Sequence, residues 1–154
     1  MTAKADLLLS ASQVAAVTGA SARLQGQRYA HHIYTHSAGD SIPCGHGDDR
    51  YVTIGTAYRI AIIEACAKAG VQIRTAAKSA LLFAEDQRTR HANTLFDFCR
   101  TLIVIKEGNA TIVAAPFDAL LTDVCGKDGA FVIDLGPIIA DVNQKLSQLK
   151  SRKQ

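Results

Sequence analysis

Between Leu8 and Arg28 the chain reads LLSASQVAAVTGASARLQGQR, and no other stretch constrains the fold as much. Ser10 followed by Gln13 has the spacing of a capping box: the hydroxyl accepts from the Gln13 N–H, and the Gln13 amide returns to the Ser10 N–H. Leu9 before the cap and Val14 after it are placed for a hydrophobic staple. The helix so started, ASQVAAVT, stops at Gly19, where tolerance of positive φ suits a sharp turn. Ala15, four residues earlier, is small where two helices must cross closely, and Ser21 can cap the next helix. Two helices and a tight turn within about twenty residues predict a helix-turn-helix.

Residues 34–52, YTHSAGDSIPCGHGDDRYV, break any helix and predict a β-hairpin, or wing, closed by Tyr51-Val52. Thr53 then caps a long helix, IGTAYRIAIIEACAKA, ended by Gly70, and a further helix runs from Ile73 to Ala84. The polar stretch EDQRTRHAN reads as a linker or helix end. Beyond it the hydrophobic period switches from about 3.6 residues to about 2. RTLIVIKEGNATIVAAP predicts two strands joined by a Gly-Asn turn. FDALLTDVC predicts a short helix and AFVIDL a strand, and PIIADVNQKLSQLKS is a closing helix with Pro137 in its first turn. The expected class is α+β: a winged helix-turn-helix domain over residues 1–90, then a separate β-β-α-β-α lobe over 95–154. No internal repeat is visible.

A hydrophobic content of 48% with 20% charged residues supports a buried core, and with Trp absent the aliphatic side chains must fill it. The net charge is only +3, but it is unevenly placed. Residues 1–91 hold ten Lys and Arg against seven acids, residues 92–154 seven of each, and no acid occurs from Leu7 to Gly39. A mild basic bias of this kind suits a phosphate-facing surface. No apolar run approaches the roughly 18 residues needed to span a bilayer, so no membrane role is expected. Cys44, Cys66, Cys99 and Cys125 are widely spaced, as expected of reduced thiols in a cytoplasmic protein.

SASQVAAVTGASAR, followed by RYVTIGTAYRIAIIEACAKAGV, resembles the MerR-type winged-helix family of transcription regulators over roughly half the chain. The resemblance rests on the Ser-x-x-Gln cap, the Ala15-to-Gly19 spacing, the Gly19-Ala20-Ser21 turn, Arg23, the placement of Arg50 before Thr53, and the apolar helix ending KAGVQI. In place of that family's long dimerisation helix stands the mixed lobe, an arrangement similar to small bacterial and phage regulators. The resemblance implies a second helix in a DNA major groove, a wing on the flanking backbone, and a homodimer on a two-fold site. Arg23, Gln25, Gln27 and Arg28 carry groups able to read base edges or neutralise phosphate, and Ser21 at a helix N-terminus suits a phosphate oxygen. His31, together with His46, Arg50 and Tyr51 of the wing, completes the expected DNA-binding set.

His31, His32, His36, Cys44 and His46 fall within sixteen positions, but without the paired spacing of a zinc site, so neither metal nor cofactor is expected. No Gly-rich phosphate loop, nucleophile triad or carboxylate pair stands out, and the expectation is not an enzyme. The leading reading is a homodimeric, sequence-specific regulator of transcription bound to double-stranded DNA, with any small-molecule effector left open. Two alternatives stay open beside it: an excisionase-like architectural factor of a mobile element, and a protein-interaction module that has lost DNA binding.

Overall fold

In the computed structural model, which describes residues 7–43, 49–126 and 128–152, strand β1 (Leu9–Ser10) runs straight into helix α1 (Ala11–Thr18). Ser10 caps α1 through the full capping box: its hydroxyl accepts from the Gln13 N–H at 3.4 Å, and its own N–H donates to Gln13 Oε1 at 2.9 Å. Leu9 and Val14 are both buried. Gly19 ends the helix at φ 78°, with its N–H returned to the Ala15 carbonyl at 2.9 Å. Ser21 then caps helix α2 (Ala22–Ala30) by accepting from the Leu24 N–H at 3.2 Å.

The next segment departs from expectation. Strand β2 (Tyr51–Val52) pairs antiparallel with β1, Leu9 opposite Val52 and Ser10 opposite Tyr51. Within 34–52 only an isolated bridge joins Ser41 to Tyr51 among the described residues. A wing requires two strands paired with each other, and here β2 takes the N-terminal strand as its partner. The winged helix-turn-helix architecture is therefore corrected to an α+β fold of helices and two small sheets. Cys44 and His46 lie outside the described residues.

Thr53 caps helix α3 (Ile54–Lys68) by accepting from the Thr56 N–H at 3.3 Å. This helix is surrounded on most sides: Ala57, Ile60, Ala61, Ile62, Ile63 and Cys66 are all buried. Helix α4 (Ile73–Ala84) lays Ala76, Ser79, Ala80 and Phe83 into the interior, the i, i+3, i+4, i+7 stripe of an amphipathic helix. The polar stretch after it is no linker. Arg90, 4% exposed, donates from Nη1 to the carbonyls of Phe83, His91 and Thr94, and from Nη2 to those of Leu82 and Glu85, at 2.8 to 3.1 Å. One guanidinium thus satisfies the Leu82 carbonyl at the end of α4, joins the Asn93 N–H on that of Phe83, and folds the loop back on the helix.

Strands β3 (Arg100–Lys106) and β4 (Asn109–Ala115) form a hairpin, and β5 (Phe131–Asp134), after the short helix α5 (Leu121–Cys125), pairs on the other side of β3. The order is β4-β3-β5, all antiparallel. The hairpin turn is Glu107-Gly108, not Gly-Asn. Both residues have positive φ, 52° and 76°, as the tight turns that match strand twist require. The central strand is buried from Thr101 to Ile105. Helix α6 (Leu135–Ser151) is capped by Asp134, whose Oδ1 accepts from the Gly136 N–H at 3.0 Å, with Pro137 in the first turn.

The two halves do not stand apart. Helix α6 packs on α1 and α3, and its Leu135, Ile139, Val142 and Leu146 join the same buried cluster as Val14, Val17, Ile62 and Phe83. A smaller cluster around Leu102, Val104 and Ala115 lies on the other face of the sheet. Among the described residues no helix is long and apolar enough to cross a membrane. Because the core is shared, a chain cut after residue 94 is expected to lose its cooperative thermal transition. Calorimetry decides this, and a sharp two-state transition in the fragment would show the first half to be self-sufficient. Arg90→Met, which takes the guanidinium donor from the Leu82, Glu85 and Thr94 carbonyls, while Phe83 and His91 keep backbone donors, is expected to cost about 3 kcal/mol or more of stability in urea unfolding.

Candidate nucleic-acid interface

Helix α2, ARLQGQRYA, divides into two faces by its period. Gln25 and Tyr29 point inward and are buried, with Leu24 and Arg28 half-buried beside them. Arg23, Gly26, Gln27 and Ala30 are exposed at i, i+3, i+4 and i+7, so they form one continuous outer face. That face has a small centre, two polar side chains and no acid. A Cβ added at Gly26 would meet nothing within 4 Å, and its φ is not in the left-handed region, so nothing in the protein itself requires glycine there. A glycine at that position costs about 1 kcal/mol of helix stability relative to alanine.

The inner face is fastened by polar contacts. Gln25 Nε2 donates to the Ala11 carbonyl at 2.9 Å and the Ala20 carbonyl at 2.7 Å, tying α2 to the start of α1 and to the turn. Gln25 is 2% exposed and so leaves the DNA-facing set. Arg28 is withdrawn too: its Nε lies 3.0 Å from Glu64 Oε1 and its Nη2 3.4 Å from Oε2. The Tyr34 hydroxyl donates to the same Glu64 Oε1 at 2.7 Å. The hydrogen bond to Glu64 raises the Arg28 guanidinium above its ordinary pKa, and burial pushes the Tyr34 hydroxyl upward. Both act as structural partners of one buried carboxylate.

Beside α2 stands a cationic platform. The Arg50 guanidinium carbon lies 3.7 Å from the centroid of the Tyr29 ring, a cation–π geometry that holds the charge in place. His36 stacks on the same Tyr29 at 5.0 Å, and Tyr34 meets it edge-on at 5.4 Å. Burial pushes the Tyr29 hydroxyl up to about 12, so it stays neutral in the physiological range. Gly26, Ala30, His32, His36 and Arg50 line a shallow concavity of about 520 Å³ next to the outer face of α2. Ser21 and His31 are exposed at the two ends of α2, and Tyr51 is exposed on β2 beside Arg50. His46 lies outside the described residues.

Sequence reasoning missed Tyr29, His36 and Glu64. A lone acid in the apolar run IAIIEACA was the available signal, since a carboxylate buried in a helix needs a cationic partner. The Tyr29 platform had no local signal, because His36 and Arg50 reach it from beyond a loop.

The loop itself is held by Asp40. Its Oδ1 accepts from the Thr53 N–H at 2.8 Å, and its Oδ2 from the Ser37 N–H at 2.9 Å and the Thr56 hydroxyl at 2.8 Å. Burial raises the Asp40 carboxyl, but these donors outweigh it and leave it below the usual carboxylate range. A carboxyl depressed in the folded state adds stability above its unfolded value, about 3.9, and loses that stability as pH falls through the lower folded value. Asp40→Asn is therefore expected to cost about 1–3 kcal/mol at neutral pH. The gap in melting temperature from the parent protein should close as pH falls below about 4, and a gap independent of pH would contradict the assignment. Set against known proteins, the chain matches no protein-family model and no curated protein sequence at a significant level.

Proposed function

We propose that the protein binds double-stranded DNA by laying the outer face of α2 in the major groove. The observation that carries this reading is the Arg23-Gly26-Gln27-Ala30 face. It combines two side chains able to read base edges with a small centre that lets the helix axis approach a partner closely. Arg can grip guanine through two hydrogen bonds, and Gln can pair with adenine in the same manner. Arg50, held on Tyr29, and His31, at the end of α2, supply positive or hydrogen-bonding groups for the flanking phosphates. The exposed Ser21 hydroxyl at the N-terminus of α2 suits a phosphate oxygen. Gly26 fits this role, because a helix that only filled a surface would gain stability from alanine there. A cytoplasmic site of action and a paired copy on a two-fold DNA site belong to the same reading.

Gel-shift selection from a pool of random duplexes tests it. Arg23→Ala with Gln27→Ala is expected to weaken the selected complex by about 1–3 kcal/mol per lost base contact while leaving the melting temperature unchanged. Replacing Arg50 is expected to flatten the log-affinity against log-salt slope by about 0.9. Gly26→Leu should stabilise the free protein yet impair the complex. Failure to retain any duplex at low salt, or full affinity in the double variant, would remove α2 from the interface.

A further inference from the structure

On the far side of the segment that follows α2, the chain builds a second concavity of different character. His32 steps through the left-handed region at φ 57°, and the N–H groups of Ile33 and Tyr34 both return to the Arg28 carbonyl, at 2.8 and 3.2 Å. This turns residues 32–35 across the space between α3 and α4 and encloses a cavity of about 280 Å³. Its floor is apolar, with Ile33, Ile60 and Ile63. Its polar wall carries Arg59, Arg74 and Lys78 beside His32, Thr35 and Thr56, and among the described residues no acid lines it.

The three cations are not equivalent. Arg59 is 6% exposed; it donates to the Thr35 hydroxyl and carbonyl and to the Thr56 hydroxyl, each at 3.2 Å. Among the described residues these account for three of the five N–H donors of a guanidinium. Asp40 stands behind Thr56 and balances its charge. Arg74 and Lys78 have no such balance: among the described residues neither has an acidic partner within 4 Å. They sit at i and i+4 on α4, where like charges repel. Both flank the cavity, along with Leu81, which is 41% exposed at the same face. An apolar floor under two uncompensated cations complements a small molecule with an apolar body and a negative head. The volume is near the lower end for small-molecule sites, roughly 300–1,000 Å³.

We infer that this cavity between α3, α4 and residues 32–35 is a binding site for a small apolar carboxylate. Its carboxylate pairs with Arg74 and Lys78, and its hydrocarbon part rests on Ile33, Ile60 and Ile63. The inference does not depend on the DNA-binding reading, and its test requires no DNA.

Three probes with the same hydrocarbon part and different heads make the test: octanoate, octanol and octylammonium. Each is titrated into the full-length protein at neutral pH, followed by calorimetry and by backbone amide shifts in NMR. Octanoate is expected to bind saturably, with shifts at residues 32–35 and along α3 and α4. It should bind at least about tenfold more tightly than octylammonium, the scale of one hydrogen bond to a charged group. Arg74→Gln with Lys78→Gln alters only exposed side chains and should erase that preference while leaving the melting temperature unchanged. Ala77→Phe, at the cavity wall, should reduce the binding of octanoate and octanol alike. Equal affinity for octanoate and octylammonium, a preference that survives the double Gln variant, or no saturable octanoate binding at millimolar concentration would each overturn the inference.

Discussion

The buried carboxylate of Glu64 governs the arrangement of the first half of the molecule. It projects from the middle of α3, where a lone charge would be costly, and is matched by Arg28 of α2 and the hydroxyl of Tyr34. Two consequences follow from this one cluster. With Arg28 drawn inward here, and Gln25 by the Ala11 and Ala20 carbonyls, the outer face of α2 is left to Arg23, Gly26, Gln27 and Ala30. With Tyr34 drawn inward, residues 32–35 lie across α3, and they become a wall of the cavity on one side and of the Tyr29 platform on the other. Removing one partner of such a cluster leaves the others buried and unmatched, which is why its members act as a unit.

Charge in this half is sorted by the same logic. Asp40 and Glu64 are both engaged by internal donors, and so are Arg28, Arg59 and Arg90. Among the cations left outward, Arg23 on α2 and Arg74 and Lys78 on α4 face solvent without acidic partners among the described residues. A modest overall charge of +3 thereby becomes two separate positive surfaces, one on α2 and one on α4. Their neighbourhoods differ: the first is flat and polar with a small centre, the second is concave with an apolar floor.

The second half supplies the mass on which these surfaces rest. Strand β3 is buried on both faces, with Ile103 and Ile105 joining the main core and Leu102 and Val104 the smaller cluster. Helix α6 returns from the sheet to cover α1 and α3, so the short helices at the front are braced from behind. Helices of eight and nine residues such as α1 and α2 are marginal alone, and their stability comes from this packing.

The amino-acid sequence by itself determined where several elements begin and end, though not the hairpin turn or strand β1. The Ser10–Gln13 box, Gly19, the Ser21 and Thr53 caps and the switch to a period of about 2 near Thr101 act within a few residues, and the structure places element boundaries there. It also carried the order of strands and helices in the second half. Tertiary structure alone decided which side of α2 faces out, that β2 pairs with β1 rather than closing a wing, and that the polar stretch around Arg90 is a clasp rather than a linker. It also decided that both halves share one core. The reason is range. A cap or a turn is satisfied by its neighbours, whereas Arg28 finds its carboxylate 36 residues away, and Gln25 finds one of its carbonyls 14 residues back. A polar residue on a short helix can serve solvent, a ligand or a buried partner, and only the packing of distant segments chooses among them.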